Sequence, residues 1–163
     1  MKLNRTDLDK GLSKKLFDID TDQFHSDELN FYENTIKCEL SVERGSNSHH
    51  ISGAIKIPFE HNCDRCLIDF HELRTIDFNF ILTDNDGLFQ DASDDVLRFS
   101  PNDDEIDLNP FFREIILLEI QIKRICKEDC KGLCSNCGTN LNDDKCNCLF
   151  DIKDSPWDSL KKI

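Results

Sequence analysis

No stretch of about 18 consecutive apolar residues occurs in this 163-residue chain, which excludes a membrane-spanning helix. The opening MKLNRTDLDKGLSKKLF lacks the apolar core of a secretory leader. The expected compartment is therefore the reducing cytoplasm. There is no internal repeat. There is also no nucleophile elbow, no phosphate-binding loop and no paired-carboxylate constellation, so an enzyme is not expected. Positive charge is scarce in the first two thirds. Residues 1–110 carry 11 Lys and Arg against 24 Asp and Glu, whereas residues 111–163 carry nine of each. The acidic part repels a phosphate backbone, so nucleic-acid contacts are confined to the C-terminal third. A basic protein is the alternative partner for the acidic part.

The apolar content is sufficient for a core. Hydrophobic residues make up 38% and include twelve Phe. Ile36, Cys38, Leu40 and Val42 alternate with polar residues, which predicts a half-buried strand. GSNSHH reads as a turn that leaves His49 and His50 solvated, as His25 is expected to be. Ile51, Gly53, Ile55 and Ile57 then alternate again, completing an antiparallel hairpin. A third strand covers LIDFHELRTIDFNFIL, with Phe70, Glu72, Arg74, Ile76, Phe78 and Phe80 sharing a face and Ile81 and Leu82 closing the run. Residues 1–34 are weakly patterned, with a strand near Leu12–Ile19 and a helical turn near Asp22–Leu29. Residues 83–107 hold nine acids and one base and read as a solvated loop, anchored by Val96, Leu97 and Phe99. The strongest helix is predicted over 108–124. Asp107 or Asn109 caps it and Pro110 sits in its first turn. Phe111, Phe112, Ile115, Ile116, Leu118 and Ile122 form its apolar stripe. A short terminal helix starts near Ser155–Pro156, with Trp157 and Leu160 on one side.

Six of the nine cysteines crowd into residues 126–148, with the spacing Cys126-x3-Cys130-x3-Cys134-x2-Cys137-x8-Cys146-x-Cys148. In a reducing compartment such a cluster reads as metal ligands before it reads as disulfides. Cys134 and Cys137, followed by Gly138, form a tight turn whose two sulfurs face one ion. A second pair completes the tetrahedron. Cys146 and Cys148 supply it if the backbone bends there, since a straight strand would point them apart. Cys126 and Cys130 compete for that place. Upstream, Cys63 and Cys66 in CDRC offer a second site together with Cys126 and Cys130, leaving Cys38 as a small buried hydrophobe. His61 is a possible substitute ligand. Sulfur-only coordination closes the sphere, so one or two zinc ions in a structural role are expected.

CDRC between strands, then EIDLNPFFREIILLEIQI, then CKEDCKGLCSNCGTNLNDDKCNC, then DSPWDSLKKI, resembles the YceD family over roughly residues 36–163. These are bacterial proteins with chloroplast relatives, associated with accumulation of large-subunit ribosomal RNA. The resemblance maps the Cys-x-Arg-Cys of the family onto Cys63, Arg65 and Cys66. It maps the acidic helix start onto Glu105, Ile106, Asp107 and Leu108. This chain departs from the pattern in the polar, proline-free LEIQIKRICKED and in the ending DSPWDSL. Neither departure touches a cysteine.

The expected fold class is α+β: a mainly antiparallel β-sheet, one packed amphipathic helix and a C-terminal cysteine-rich zinc-binding segment. The expected division is 1–124 and 125–163. The function implied is a non-enzymatic ribosome-biogenesis factor that binds a basic ribosomal protein or large-subunit ribosomal RNA. Lys123, Arg124, Lys127 and Lys131 are the basic candidates for that surface, and Asp103, Asp104 and Glu105 the acidic ones. No small-molecule substrate is expected. The alternative is a redox-switched zinc chaperone, which would release metal on oxidation and expose apolar surface.

Overall fold

A computed structural model describes residues 1–24, 29–46, 48–84 and 96–148. The chain forms two compact units. The larger holds Met1–His61 and Asp69–Ile122, and the smaller holds Asn62–Ile68 and Lys123–Ile163. Among the described residues, no helix is long and apolar enough to cross a membrane.

The larger unit is built on strands. In chain order they are β1 (Lys2–Asn4), β2 (Leu12–Asp20), β3 (Thr35–Arg44), β4 (His49–Asn62), β5 (Asp69–Thr83), β6 (Val96–Arg98) and β7 (Glu105–Asp107). Among the described residues two α-helices accompany them, α1 (Arg5–Lys10) and α2 (Asn109–Leu118), with a 3-10 turn at Thr21–Gln23. One sheet has the order β2-β3-β4-β5-β6, and β1 pairs with β7 in a second. β2–β3 and β3–β4 are antiparallel. Only residues 63–68 separate β4 from its neighbour β5. Such a link is too short for a parallel crossover, so this pair is antiparallel as well. β6 runs parallel to β5, which makes the sheet mixed rather than purely antiparallel.

Side-chain alternation explains the core. Ile36, Cys38, Leu40 and Val42 of β3 are all buried, as are Ile51, Ile55 and Ile57 of β4. On β5 the even-numbered residues from Phe70 to Leu82 turn inward and the odd-numbered ones outward as far as Ile81. Gly53 lies opposite Leu40, and a Cβ there would overlap the Glu39 carbonyl oxygen and approach the Phe78 ring. The backbone needs glycine at that crossing because the neighbouring main chain fills the space. On α2, Phe112 and Ile116 are fully buried. The Phe111 ring centroid lies 4.3 Å from that of Phe80, and the Phe112 ring 5.4 Å from that of Phe78.

Several expectations change. Helix α2 stops at Leu118 instead of reaching residue 124, and Leu118 and Ile122 are exposed rather than part of a buried stripe. The helix tightens at its end, where Ile120 N donates to Leu117 O at 3.3 Å, an i-to-i−3 closure. Farther along, the Arg124 amide donates to Asp64 Oδ2 at 2.6 Å and is not free for a helical bond to Ile120 O. The turn after β3 closes earlier than expected, with Gly45 N donating to Ser48 O at 2.8 Å. His49 is therefore a strand residue opposite Arg44, half-buried and not solvated, whereas His50 is exposed. The acidic stretch 83–107 includes two short strands, and Phe99 is buried as an anchor. Where a helical turn is expected at Asp22–Leu29, a 3-10 turn occupies Thr21–Gln23, with Asp20 Oδ1 accepting from Asp22 N at 3.0 Å, and residues 25–28 lie outside the described residues. The first ten residues, weakly patterned in sequence, bury Leu3 and Leu8 completely. His25, residues 85–95 of the acidic stretch and the terminal helix expected near Trp157 lie outside the described residues.

Candidate metal centres

Among the described residues, every member of the continuous apolar core belongs to the larger unit. Among the described residues, the buried side chains of the smaller unit are Cys63, Cys66, Cys130 and Cys134. Leu133, Leu141 and Ile125 are half-buried. The described residues of this unit thus bury thiols where a larger domain buries hydrocarbon.

Two tight turns present the first four sulfurs. In Cys63–Leu67 the Leu67 amide donates to Cys63 O at 2.8 Å, and in Cys134–Gly138 the Gly138 amide donates to Cys134 O at 2.9 Å. Both turns place their fifth residue in the left-handed region, Leu67 at φ 60° and Gly138 at φ 72°. A Cβ on Gly138 would meet nothing within 4 Å, so the backbone angle, not crowding, calls for glycine there. The first turn is braced further by Cys63 N to Ile68 O at 2.9 Å and Asn62 Nδ2 to Leu67 O at 2.9 Å.

The remaining sulfurs arrive from the segment after Ile122. Cys63, Cys66, Cys126 and Cys130 form one quartet, and Cys134, Cys137, Cys146 and Cys148 a second; within each, all sulfurs lie within 4.8 Å of one another. Contacts include Cys63–Cys130 at 3.9 Å, Cys66–Cys126 at 3.6 Å and Cys134–Cys146 at 3.4 Å. Sulfurs at about 2.3 Å from a tetrahedral zinc would lie about 3.8 Å apart, so these spacings suit such an ion. Residues 145–148 form no strand, which lets Cys146 and Cys148 face one point despite their spacing. Arg65 ties the turns together. Its guanidinium donates to Cys130 O at 2.8 Å, and its own carbonyl accepts from Leu133 N at 3.1 Å.

The electrostatics divide each quartet in two. Burial pushes the Cys63 thiol up, but the amides of Cys126, Cys66 and Arg65 outweigh this and bring it down to about 6. Cys130 is likewise raised by burial and then held below the ordinary range by the Asn142 side chain and the Gly132 amide. Burial raises Cys66, and burial with the neighbouring sulfurs of Cys66, Cys130 and Cys63 drives Cys126 to about 12. The second quartet repeats the division. The amides of Cys137 and Asn136 lower Cys134, and the Thr139 hydroxyl and amide bring Cys137 to about 6. The Cys148 amide pulls Cys146 down, but the Cys134 sulfur and burial prevail and raise it. The Cys137 sulfur and burial send Cys148 to about 12. In each quartet, then, two thiols are lowered and two are raised. A divalent cation among the sulfurs would supply the charge that lowers the raised pair.

Other candidates are placed elsewhere. Cys38 is buried in β3, and burial pushes its thiol to about 12. His61 is buried in the larger unit, stacked 5.2 Å from Phe59 with Nε2 3.7 Å from Glu72, and both quartets are complete without it. Lys123, Lys127 and Lys131 are exposed and Arg124 is half-buried. Asp103, Asp104 and Glu105 are exposed on the larger unit, where Glu105 pairs with Lys2 at 3.0 Å. Sequence reasoning missed Asn142, which donates to Cys130 Sγ at 3.4 Å. Its only sequence signal is its place in a polar loop between ligands.

The family model described as Large ribosomal RNA subunit accumulation protein YceD matches residues 51–163. An Arabidopsis thaliana protein named Large ribosomal RNA subunit accumulation protein YCED homolog 1, chloroplastic, is 43% identical over 154 residues, covering 78% of this chain and 48% of the relative. A Zea mays protein of the same name is 49% identical over 49 residues, covering 30% of this chain and 17% of the relative. An uncharacterized protein of Mycobacterium leprae is 26% identical over 106 residues, covering 65% of this chain and 49% of the relative. The chain thus spans about half the length, or less, of the curated relatives it matches. No solved structure matches. The match over residues 51–163, reinforced by the identity to the Arabidopsis protein, places this chain in the YceD family.

Proposed function

We propose that this chain is a non-enzymatic ribosome-biogenesis factor that supports accumulation of large-subunit ribosomal RNA, with one structural zinc ion in each cysteine quartet. The observation that carries the metal half is the pair of four-sulfur clusters in a unit whose buried side chains, among the described residues, are cysteines. A closed shell of four thiolates leaves no position for substrate or water, which favours a clamp over a catalytic ion. Metal binding would supply the folding free energy that apolar burial does not. The ribosomal half is supported by the family description and by the name of the Arabidopsis relative.

The partner is a basic ribosomal protein, with pre-ribosomal large-subunit RNA as the other choice. The net charge of −13 supports the protein partner. Lys123, Arg124, Lys127 and Lys131 would serve an RNA contact. The proposed compartment is the cytoplasm, whereas the plant relatives are named chloroplastic.

Metal content per chain tests the clamp. The expected result is two zinc ions in the wild type and one in each of Cys63→Ser and Cys134→Ser; a metal-free wild type would refute it. Sedimentation with precursor large-subunit particles tests the function, and absence from those fractions would count against it. RNA binding at low salt decides the partner, because phosphate contacts are strongest there. Zinc release by peroxide with gain of holdase activity would mark the redox chaperone instead.

A further inference from the structure

We propose that the two metal centres are energetically coupled through Asn142, a positioning residue that belongs to the loop of one centre and acts on a sulfur of the other; the inference rests on the two-zinc reading above. Asn142 lies between Cys137 and Cys146, both in the second quartet. Its side chain turns to the first. Nδ2 donates to Cys130 Sγ at 3.4 Å and to Asn140 Oδ1 at 2.8 Å, while Oδ1 accepts from Lys131 N at 2.9 Å. Its own amide donates to Asn140 Oδ1 at 3.0 Å.

The carboxamide orientation follows from this network. Lys131 N can only donate, so the oxygen must face it and the NH2 group must face the sulfur. The loop is held in place by Leu141 N to Gly132 O at 2.9 Å and by Asp144 N to Asn140 O at 3.0 Å. A sulfur bound to zinc keeps excess negative charge, and a fixed N–H donor stabilises it and slows loss of the metal. With the second centre filled, Cys137 and Cys146 pin both ends of the loop, and Asn142 is presented to Cys130. With it empty, the loop keeps its hydrogen bonds to Gly132 and Lys131 but not its pinned ends, and the donor is held less firmly on the sulfur. By linkage, a filled first centre must favour filling of the second by the same factor.

The test follows zinc transfer from the fully loaded protein to a chromogenic chelator. Cys63→Ser and Cys137→Ser, each leaving one centre, assign the phases. Asn142→Asp keeps an oxygen for Lys131 N but turns an acceptor toward Cys130, so it separates bracing of the loop from donation to sulfur. The expected result is release from the first centre about 10- to 100-fold faster; read once the first is empty, the second centre changes less than about 2-fold, because the coupling acts only while both are filled. Asn142→Ser, whose hydroxyl is too short to reach the sulfur, moves the first centre in the same direction. In the Cys137→Ser background the first centre is already fast, and Asn142→Asp adds little, which is the non-additivity of a shared interaction. Thiolate-to-cobalt absorption of cobalt-substituted protein shows whether each variant still forms its four-sulfur centres. Unchanged release from the first centre in Asn142→Asp overturns the coupling, as does a variant that loses the second centre first. A wild type that holds fewer than two zinc ions instead removes the reading on which it rests.

Discussion

The two cysteine turns offer a comparison within one molecule. They share the same amide-to-carbonyl closure and the same left-handed fifth residue, yet one uses Leu67 and the other Gly138. A side chain in that region costs about 1–2 kcal/mol. Glycine gives back about 0.5–1 kcal/mol through the greater freedom of the unfolded chain. Gly138→Ala should therefore cost about 1 kcal/mol net, with no steric addition because a Cβ there meets nothing within 4 Å. Where zinc binding drives folding, that strain reappears as a roughly 5-fold weaker second centre. Leu67→Gly has the opposite backbone effect but loses a partly buried side chain. With Leu67 61% exposed, the two contributions nearly cancel, and the first centre should change less than about 3-fold. Competition with a calibrated chelator reads both. An unchanged second centre in Gly138→Ala would refute the strain argument. A collapse of the first centre in Leu67→Gly would show that Leu67 is held for packing.

Three further outcomes follow. At neutral pH, as a chelator withdraws zinc, iodoacetamide should modify Cys137 before Cys63, because Cys137 is exposed and Cys63 is fully buried while the fold persists; mass mapping of modified peptides checks the order. Zinc should protect both. Burial, aided by Arg44 and Arg5, outweighs Asp9 and Asp84 and lowers the pKa of His49 below its usual 6.5. The stability this contributes is fully present above pH 6.5 and is lost as pH falls from 6.5 through the lower folded value, so His49→Gln should flatten the acid limb of a denaturation series. Gly53→Ala should destabilise the larger unit by about 3 kcal/mol, because a Cβ would strike the Glu39 main chain, and urea midpoints measure it.

The sheet was legible wherever alternation ran for several residues. Ile36 to Val42 predicts β3 because each inward position is apolar and each outward one polar. The three-residue strands β1 and β7 are too short to show a period, and Leu3 and Ile106 reveal themselves only as partners across more than a hundred residues. The end of α2 was hidden because Ile120 and Ile122 continue an apolar pattern, while the tight closure of Ile120 N on Leu117 O and the hold of Asp64 on Arg124 leave no trace in that pattern. Counting cysteines led to the grouping of four and four that the structure shows. The likeness of the two turns stayed hidden, because Leu67 stands where the second turn has glycine.

The first quartet joins Cys63 and Cys66 to Cys126 and Cys130, and β1 waits for β7. During synthesis, β1 and the first two thiols emerge long before the residues that complete them. Closing such distant contacts makes folding slow relative to local structure. Through that interval the nascent chain carries an unpaired edge and an uncapped pair of thiols, and any factor that shields them must act before residue 130 has been made.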